Sequence, residues 1–158
     1  MTRDDHETTT LLFTRCIAAP REEVFHAWTA PEVLARWWWP ARFQTTYEVD
    51  LRPGGHWQFR SVDLPDFGTL SVGGTFQEVR APERLTYTWV WEGGESSQTL
   101  VTVEFRELGT QTEVLLRHDG FANERVRDDH GQGWSDCVAR LEELAKAGGP
   151  GVPGSSMP

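Results

Sequence analysis

Basic side chains are in deficit: 15 Lys and Arg stand against 24 Asp and Glu, a formal net charge of −9. A chain of that charge has no global positive field to hold nucleic-acid phosphates or anionic headgroups, and no Lys/Arg run supplies a local one. Cysteine is scarce as well. Cys16 and Cys137 are the two present and form no C-x-x-C pair, which argues against a disulfide framework or a cysteine zinc site and fits a reducing cytoplasm. Nowhere do about eighteen apolar residues run together, and Met1 to Glu7 is polar without an apolar stretch. Neither membrane insertion nor a secretory leader is expected, and the expected location is cytoplasmic. Motifs of chemistry are missing too: there is no G-x-S-x-G, no P-loop, no G-x-G-x-x-G after a strand and no H-E-x-x-H. The five histidines, His6, His26, His56, His118 and His130, offer only Asp129-His130 as a local pair, and a metal needs about three or four converging ligands. No metal and no cofactor are expected.

What is abundant is aromatic surface, with 8 Trp, 8 Phe and 2 Tyr. Three indoles stand side by side in Leu34-Ala35-Arg36-Trp37-Trp38-Trp39-Pro40. Trp is costly to expose and needs a partner for its N–H when buried, so such a cluster marks a packing nucleus, a ligand wall or a partner surface. Leu11 to Ile17 reads as a strand. Pro20 then suits the first position of a short helix, with Glu22 and Glu23 in its first turn and Val24, Phe25 and Trp28 as a buried stripe. Pro31 restarts the chain as a second short helix, on which Leu34, Trp37 and Trp38 fall at i, i+3, i+4. That spacing is what packing against a sheet needs. Trp39 lies off the stripe before Pro40, a position as suited to a cavity rim or a partner contact as to the core.

From Gln44 to His118 the period changes to two. Tyr47-Val49-Leu51, Trp57 with Phe59, Leu70 to Val79, Leu85-Tyr87-Trp89-Trp91, Val101-Val103-Phe105 and Val114-Leu116-His118 alternate with polar residues. Turns at Arg52-Pro53-Gly54-Gly55, Arg80-Ala81-Pro82-Glu83, Glu92-Gly93-Gly94-Glu95 and Leu108-Gly109-Thr110 join them into an antiparallel meander of about six strands. Helical spacing returns with the stripe Trp134, Cys137, Val138, Leu141, Leu144 and Ala145, and Gly148 is the expected end of that helix. A length of 158 residues suits one domain, placed at 8–146. A flexible start, 1–7, and a Gly/Pro-rich tail, 147–158, expected to be disordered, flank it.

The segments Cys16 to Thr29, Pro31-Glu32, Arg36-Trp37-Trp38, Asp50-Leu51-Arg52-Pro53-Gly54-Gly55, Pro82-Glu83-Arg84-Leu85 and Gly133-Trp134 resemble the homologues of the heat-shock-protein-90 ATPase activator. That family lies in the START/Bet-v-I-like (SRPBCC) superfamily, and the resemblance runs from about Thr8 to Lys146 with the motifs in order. It implies an α+β helix-grip fold: a curved antiparallel sheet around a long C-terminal helix, two short helices after the first strand, and a cavity between sheet and helix. Trp39 departs from the family pattern, which reads Trp-Trp-Gly-Pro. The approach to the last helix, Asp129-His130-Gly131-Gln132-Gly133-Trp134, matches only in part.

The expected cavity walls are Trp38, Trp57, Phe59, Phe76, Tyr87, Trp89, Trp91 and Trp134, with His118 and the Tyr87 hydroxyl as polar anchors. An aromatic wall with a few polar tips is what a small-molecule pocket uses, whereas a plain core draws more on Leu, Ile and Val. His118 also reads as a strand-end histidine bonded to backbone. Glu78 is expected to share the Phe76 face, in a buried ion pair with Arg60 or Arg117. The leading expectation is a binding protein for a hydrophobic or aromatic small molecule. A chaperone accessory of the ATPase-activator type, with a role in stress response, is the alternative the resemblance implies. A cyclase- or hydrolase-like enzyme using His118, Tyr87 and Glu78 is the third. A homodimer is compatible with exposed aromatic rims.

Overall fold

A computed structural model describes residues 9–65, 68–92 and 98–147. The flexible start expected at 1–7 and nearly all of the 147–158 tail lie outside these residues. Strand β1 (Leu11–Ile17) leads into helices α1 (Arg21–Thr29) and α2 (Pro31–Trp37) and a single 3₁₀ turn at Ala41–Phe43. Strands β2 (Thr46–Val49), β3 (His56–Leu64), β4 (Gly68–Arg80), β5 (Arg84–Trp91), β6 (Thr99–Leu108) and β7 (Gln111–Asp119) follow, and helix α3 (Glu124–Lys146) ends the described chain. The seven strands form one sheet in the order β1-β7-β6-β5-β4-β3-β2, antiparallel at every pairing. β1 closes the meander from the far side by pairing with β7, Leu11 opposite His118 and Ile17 opposite Thr112. The element order read from the residues, and the helix-grip arrangement that the resemblance implies, are the ones observed.

Alternation puts one row of each strand on the concave face. Trp57 and Phe59 of β3, Leu85, Tyr87 and Trp89 of β5, Val101, Val103 and Phe105 of β6, and Val114, Leu116 and His118 of β7 are all buried there. Against them pack Val24, Phe25 and Trp28 of α1, Leu34 and Trp37 of α2, and Trp134, Val138 and Leu141 of α3. Trp37 ties α2 to α1 by donating its indole N–H to the Ala27 carbonyl at 3.0 Å. A buried indole needs such an acceptor.

Gly73-Gly74 of β4 lie hard against the backbones of both neighbouring strands. A β-carbon on Gly74 would lie 2.0 Å from the Thr88 carbonyl oxygen of β5, an approach that only glycine permits. The Thr75 N–H turns to the Thr88 hydroxyl at 2.8 Å, and the Thr88 carbonyl accepts from the Trp57 indole at 3.1 Å. Gly74→Ala is therefore expected to cost about 1–3 kcal/mol through overpacking, read as a shift in urea midpoint.

Two expectations need correction here. Helix α3 begins at Glu124, ten residues before Trp134, and the Asp129 to Gly133 stretch read as its approach is inside it. Asn123 is the reason: its side chain accepts from the Val126 N–H at 3.0 Å and caps the first turn. The second concerns Glu78. β4 carries an extra residue between Phe76, opposite Tyr87, and Glu78, opposite Thr86, and this bulge turns Glu78 away from the Phe76 face. Its carboxylate meets Arg84 at 2.9 Å and Arg80 at 3.3 Å on the surface, not Arg60 or Arg117.

Candidate functional site

The space between sheet and helices is packed almost shut. Trp28, Trp38, Val49, Trp57, Phe59, Phe76, Leu85, Tyr87 and Trp89 leave a void of about 20 Å³ among them, room for about one water. Edge-to-face contacts close it: Trp57 meets Phe59 at 4.9 Å and Tyr87 at 5.4 Å, and Trp38 meets Phe59 at 5.2 Å between ring centroids. The Tyr87 hydroxyl, expected as a polar anchor, accepts from the Trp28 indole at 3.3 Å. Burial pushes its ionisation far up, against that hydrogen bond. Instead of an enclosed central cavity, the larger volume lies at the mouth.

There, between the end of α2, the end of β5 and the middle of α3, a cleft of about 420 Å³ opens to solvent. Trp38, Trp39, Trp89, Trp91 and Trp134 supply five of its walls, with His130, Gly133, Cys137 and Arg140 of α3 on one side. Local sequence places each group. Trp37 ends α2, Trp38 is its cap residue, and Pro40 stops the chain from continuing as helix. Trp39 is thereby swung off the helix and stacks on Trp91, centroids 6.3 Å apart and planes inclined by 17°. Its backbone N–H donates to the Tyr47 hydroxyl at 3.4 Å. Arg140 answers the carbonyls that α2 leaves open at its end: its Nε donates to Trp37 at 2.9 Å and its Nη2 to Trp38 at 2.6 Å. This guanidinium locks the triple-Trp segment onto α3.

Two histidines set the indoles of the floor. The Trp134 N–H donates to His118 Nδ1 at 3.1 Å, so in the neutral ring Nε2 carries the proton and donates to the Thr99 hydroxyl at 2.8 Å. Thr99 in turn donates to the Trp89 carbonyl at 3.2 Å. His118 is fully buried. Burial, with His130 nearby, pushes its pKa down to about 3. His130 works the same way at the rim: Nε2 accepts from the Trp91 indole at 2.9 Å, which leaves Nδ1 to donate to the Val126 carbonyl at 2.9 Å. Burial lowers its pKa too, opposed by Val126 and Asp129. The Cys137 thiol is pushed up to about 12 by burial, with Arg140 opposing, so near neutrality it is no thiolate nucleophile.

Of the nine residues expected at a binding site, Trp38, Trp89, Trp91 and Trp134 come together around the cleft. Trp57, Phe59, Phe76 and Tyr87 surround the closed void instead. His118 lines neither. It stands behind Trp134, and its ring bonds to side chains of Thr99 and Trp134, not to backbone. Glu78 on the surface does not converge with His118 and Tyr87 as an enzyme site would need. Sequence reasoning missed His130, Gly133, Cys137 and Arg140 as cleft groups. Arg140 had one available signal, the open carbonyls of a helix that Pro40 forces to end.

Among the described residues no group of three or more His, Cys, Asp and Glu is placed to hold a metal, and no helix is long and apolar enough to cross a membrane. The sequence pattern of the family described as activator of Hsp90 ATPase homolog 1-like protein matches residues 18–146. The chain belongs to that family. Nothing among curated proteins matches it significantly. Solved structures share the fold. Protein CV1439 of Chromobacterium violaceum superposes with a TM-score of 0.78 at 23% identity, over 87% of this chain and 97% of that one. CalU16 of Micromonospora echinospora gives 0.66 at 26%, over 85% and 74%. PFC0360w of Plasmodium falciparum, described as an HSP90 activator, gives 0.67 at 23%, over 86% and 95%. Where the resemblance to this family leads one to expect glycine after the paired tryptophans, Trp39 adds an indole and builds the outer wall of the cleft against Trp91.

Proposed function

We propose that this protein binds a small, flat, largely apolar molecule in the cleft between α2, β5 and α3. The observation that carries the reading is the contrast between the two spaces. The concave face is packed to about 20 Å³, whereas about 420 Å³ bounded by five indoles stays open beside it. That volume falls in the range of small-molecule sites, roughly 300–1,000 Å³. An aromatic wall of this kind favours a planar ring over a flexible chain, because stacking rewards flat area at low entropic cost. The groups around it favour holding over turnover: both His130 nitrogens are engaged, and burial keeps the Cys137 thiol protonated near neutrality.

Native mass spectrometry of gently purified protein, followed by tryptophan-fluorescence titration with lipids, flavonoids and aromatic polyketides, tests the reading. The expected outcome is saturable one-to-one quenching by planar aromatics and none by saturated lipids. Equal response to both classes, or to neither, contradicts it.

A further inference from the structure

The outer wall of the cleft is tied to one side chain of α3. Trp91 is the last residue of β5, so the sheet fixes its backbone while its ring stands at the open end, stacked on Trp39. An indole has a single N–H, and that of Trp91 goes to His130 Nε2 at 2.9 Å. His130 Nδ1 donates to the Val126 carbonyl one turn earlier, at 2.9 Å, which leaves Nε2 as the lone pair of the neutral ring. The tie to Trp91 therefore exists only while the imidazole is uncharged. A proton on Nε2 sets donor against donor, and it places a cation among Trp89, Trp91 and Phe121, whose ring centroids lie 6.2, 6.0 and 4.7 Å away. Trp91 and His130 both line the cleft.

We propose that His130 is the positioning residue of this site: neutral, it holds the Trp91 indole against Trp39 as a wall for the ligand, and on taking up a proton it releases that wall and the ligand with it. The proposal rests on the cleft being the ligand site. Two effects act in the same direction, since protonation breaks the tie to Trp91 and an apolar ligand lying over His130 would strip water from the new charge. The groups that face His130 set when this happens. On α3, Val126 and Asp129 favour the charged ring, but burial outweighs them and lowers its pKa from the ordinary histidine value. β7 presents His118, 5.5 Å away between centroids and itself neutral down to about pH 3. β5 presents Trp89 and Trp91, and the end of α2 presents Trp38 and Trp39 across the cleft. Farther along α3, Asp136 accepts from Gln132 at 3.0 Å, and Arg140 is turned to the Trp37 and Trp38 carbonyls.

The test uses flavone, a flat neutral molecule without a titrating group, bound to the full chain at a series of pH values over which near-UV circular dichroism reports native packing. Affinities come from tryptophan-fluorescence titration. In parallel, ¹H–¹⁵N correlation spectra of the free protein follow the Trp91 indole N–H, assigned by its loss in Trp91→Phe. Flavone affinity is expected to stay level down to about pH 6.5 and then to fall, approaching about tenfold per pH unit as the binding-competent fraction shrinks. The Trp91 resonance should move with the same midpoint. His130→Gln offers Trp91 an acceptor that does not titrate, and it should lose this pH dependence whatever its affinity at neutral pH. A Trp91 resonance that holds still throughout the native range overturns the proposal, as does an affinity that stays level while the resonance moves. A pH profile that His130→Gln retains overturns it too, because another group then titrates. Each of these leaves the cleft as a site. Failure of flavone to bind at any pH removes the cleft reading and this proposal with it.

Discussion

Unfolding free energy falls by about 1.4 kcal/mol for each pH unit between about pH 6 and pH 4 on account of His118, and His118→Gln removes that part of the slope. The sign follows from burial. In the unfolded chain the imidazole takes up a proton near pH 6.5, whereas in the folded protein it stays neutral down to about pH 3. Between those values the unfolded state binds more protons, so the contribution is complete above about 6.5 and is lost progressively as pH falls. Geometry gives the same answer. A second ring proton would have to sit on Nδ1, which accepts from the Trp134 indole at 3.1 Å. His130, whose pKa is also lowered and whose Nε2 accepts from Trp91, adds to the slope in the same direction. Glutamine at 118 keeps one acceptor and one donor without titrating. Urea unfolding at pH 7, 6, 5 and 4 reads the difference, and parallel slopes in the two proteins would show that His118 is not the titrating group.

Trp134→Ala is expected to cost about 3–5 kcal/mol, the upper range for a buried aromatic, and to abolish ligand quenching. Trp134 joins the helices of the site to its sheet. It stacks on Trp28 of α1 at 6.0 Å, meets Trp38 edge-on at 5.2 Å and Trp89 of β5 at 5.4 Å, and donates to His118 of β7. Alanine leaves a void of indole size and strips His118 of its donor. Trp134→Phe separates the two losses: the ring keeps most of the packing and only the hydrogen bond goes, so about 1–2 kcal/mol is expected. Equal destabilisation by both substitutions would show that packing is not what Trp134 contributes.

The element order was legible because local signals agreed: Pro20 and Pro31 before helical stripes, period two from Gln44 to His118, turn residues between. What stayed hidden depends on register and volume. The bulge that turns Glu78 outward comes from a slip against β5, and no alternation pattern in β4 alone reveals it. The start of α3 was obscured by Gly131 and Gly133, each worth about 1 kcal/mol against a helix, and by a polar first turn held by Asn123. Gly131 faces Leu11 of β1, 3.3 Å from where a β-carbon would lie, and Gly133 has nothing within 4 Å. Trp38, Trp89, Trp91 and Trp134 could be chosen as aromatic wall candidates from spacing. Which of the chosen aromatics fill the interior and which bound open space is a matter of packed volume, and only the assembled fold divides them.

Gly133 also provides the most direct measurement. It lines the cleft on a helix surface where a β-carbon would meet nothing within 4 Å, so Gly133→Leu should keep or raise helix stability while filling the cleft with a side chain. Wild type and Gly133→Leu are titrated in parallel with the planar ligand that quenches best, and their thermal midpoints are compared. Binding weakened at least about tenfold in the variant, with an unchanged or higher midpoint, is the expected result. Undiminished binding in a folded Gly133→Leu protein would contradict the cleft as the binding site.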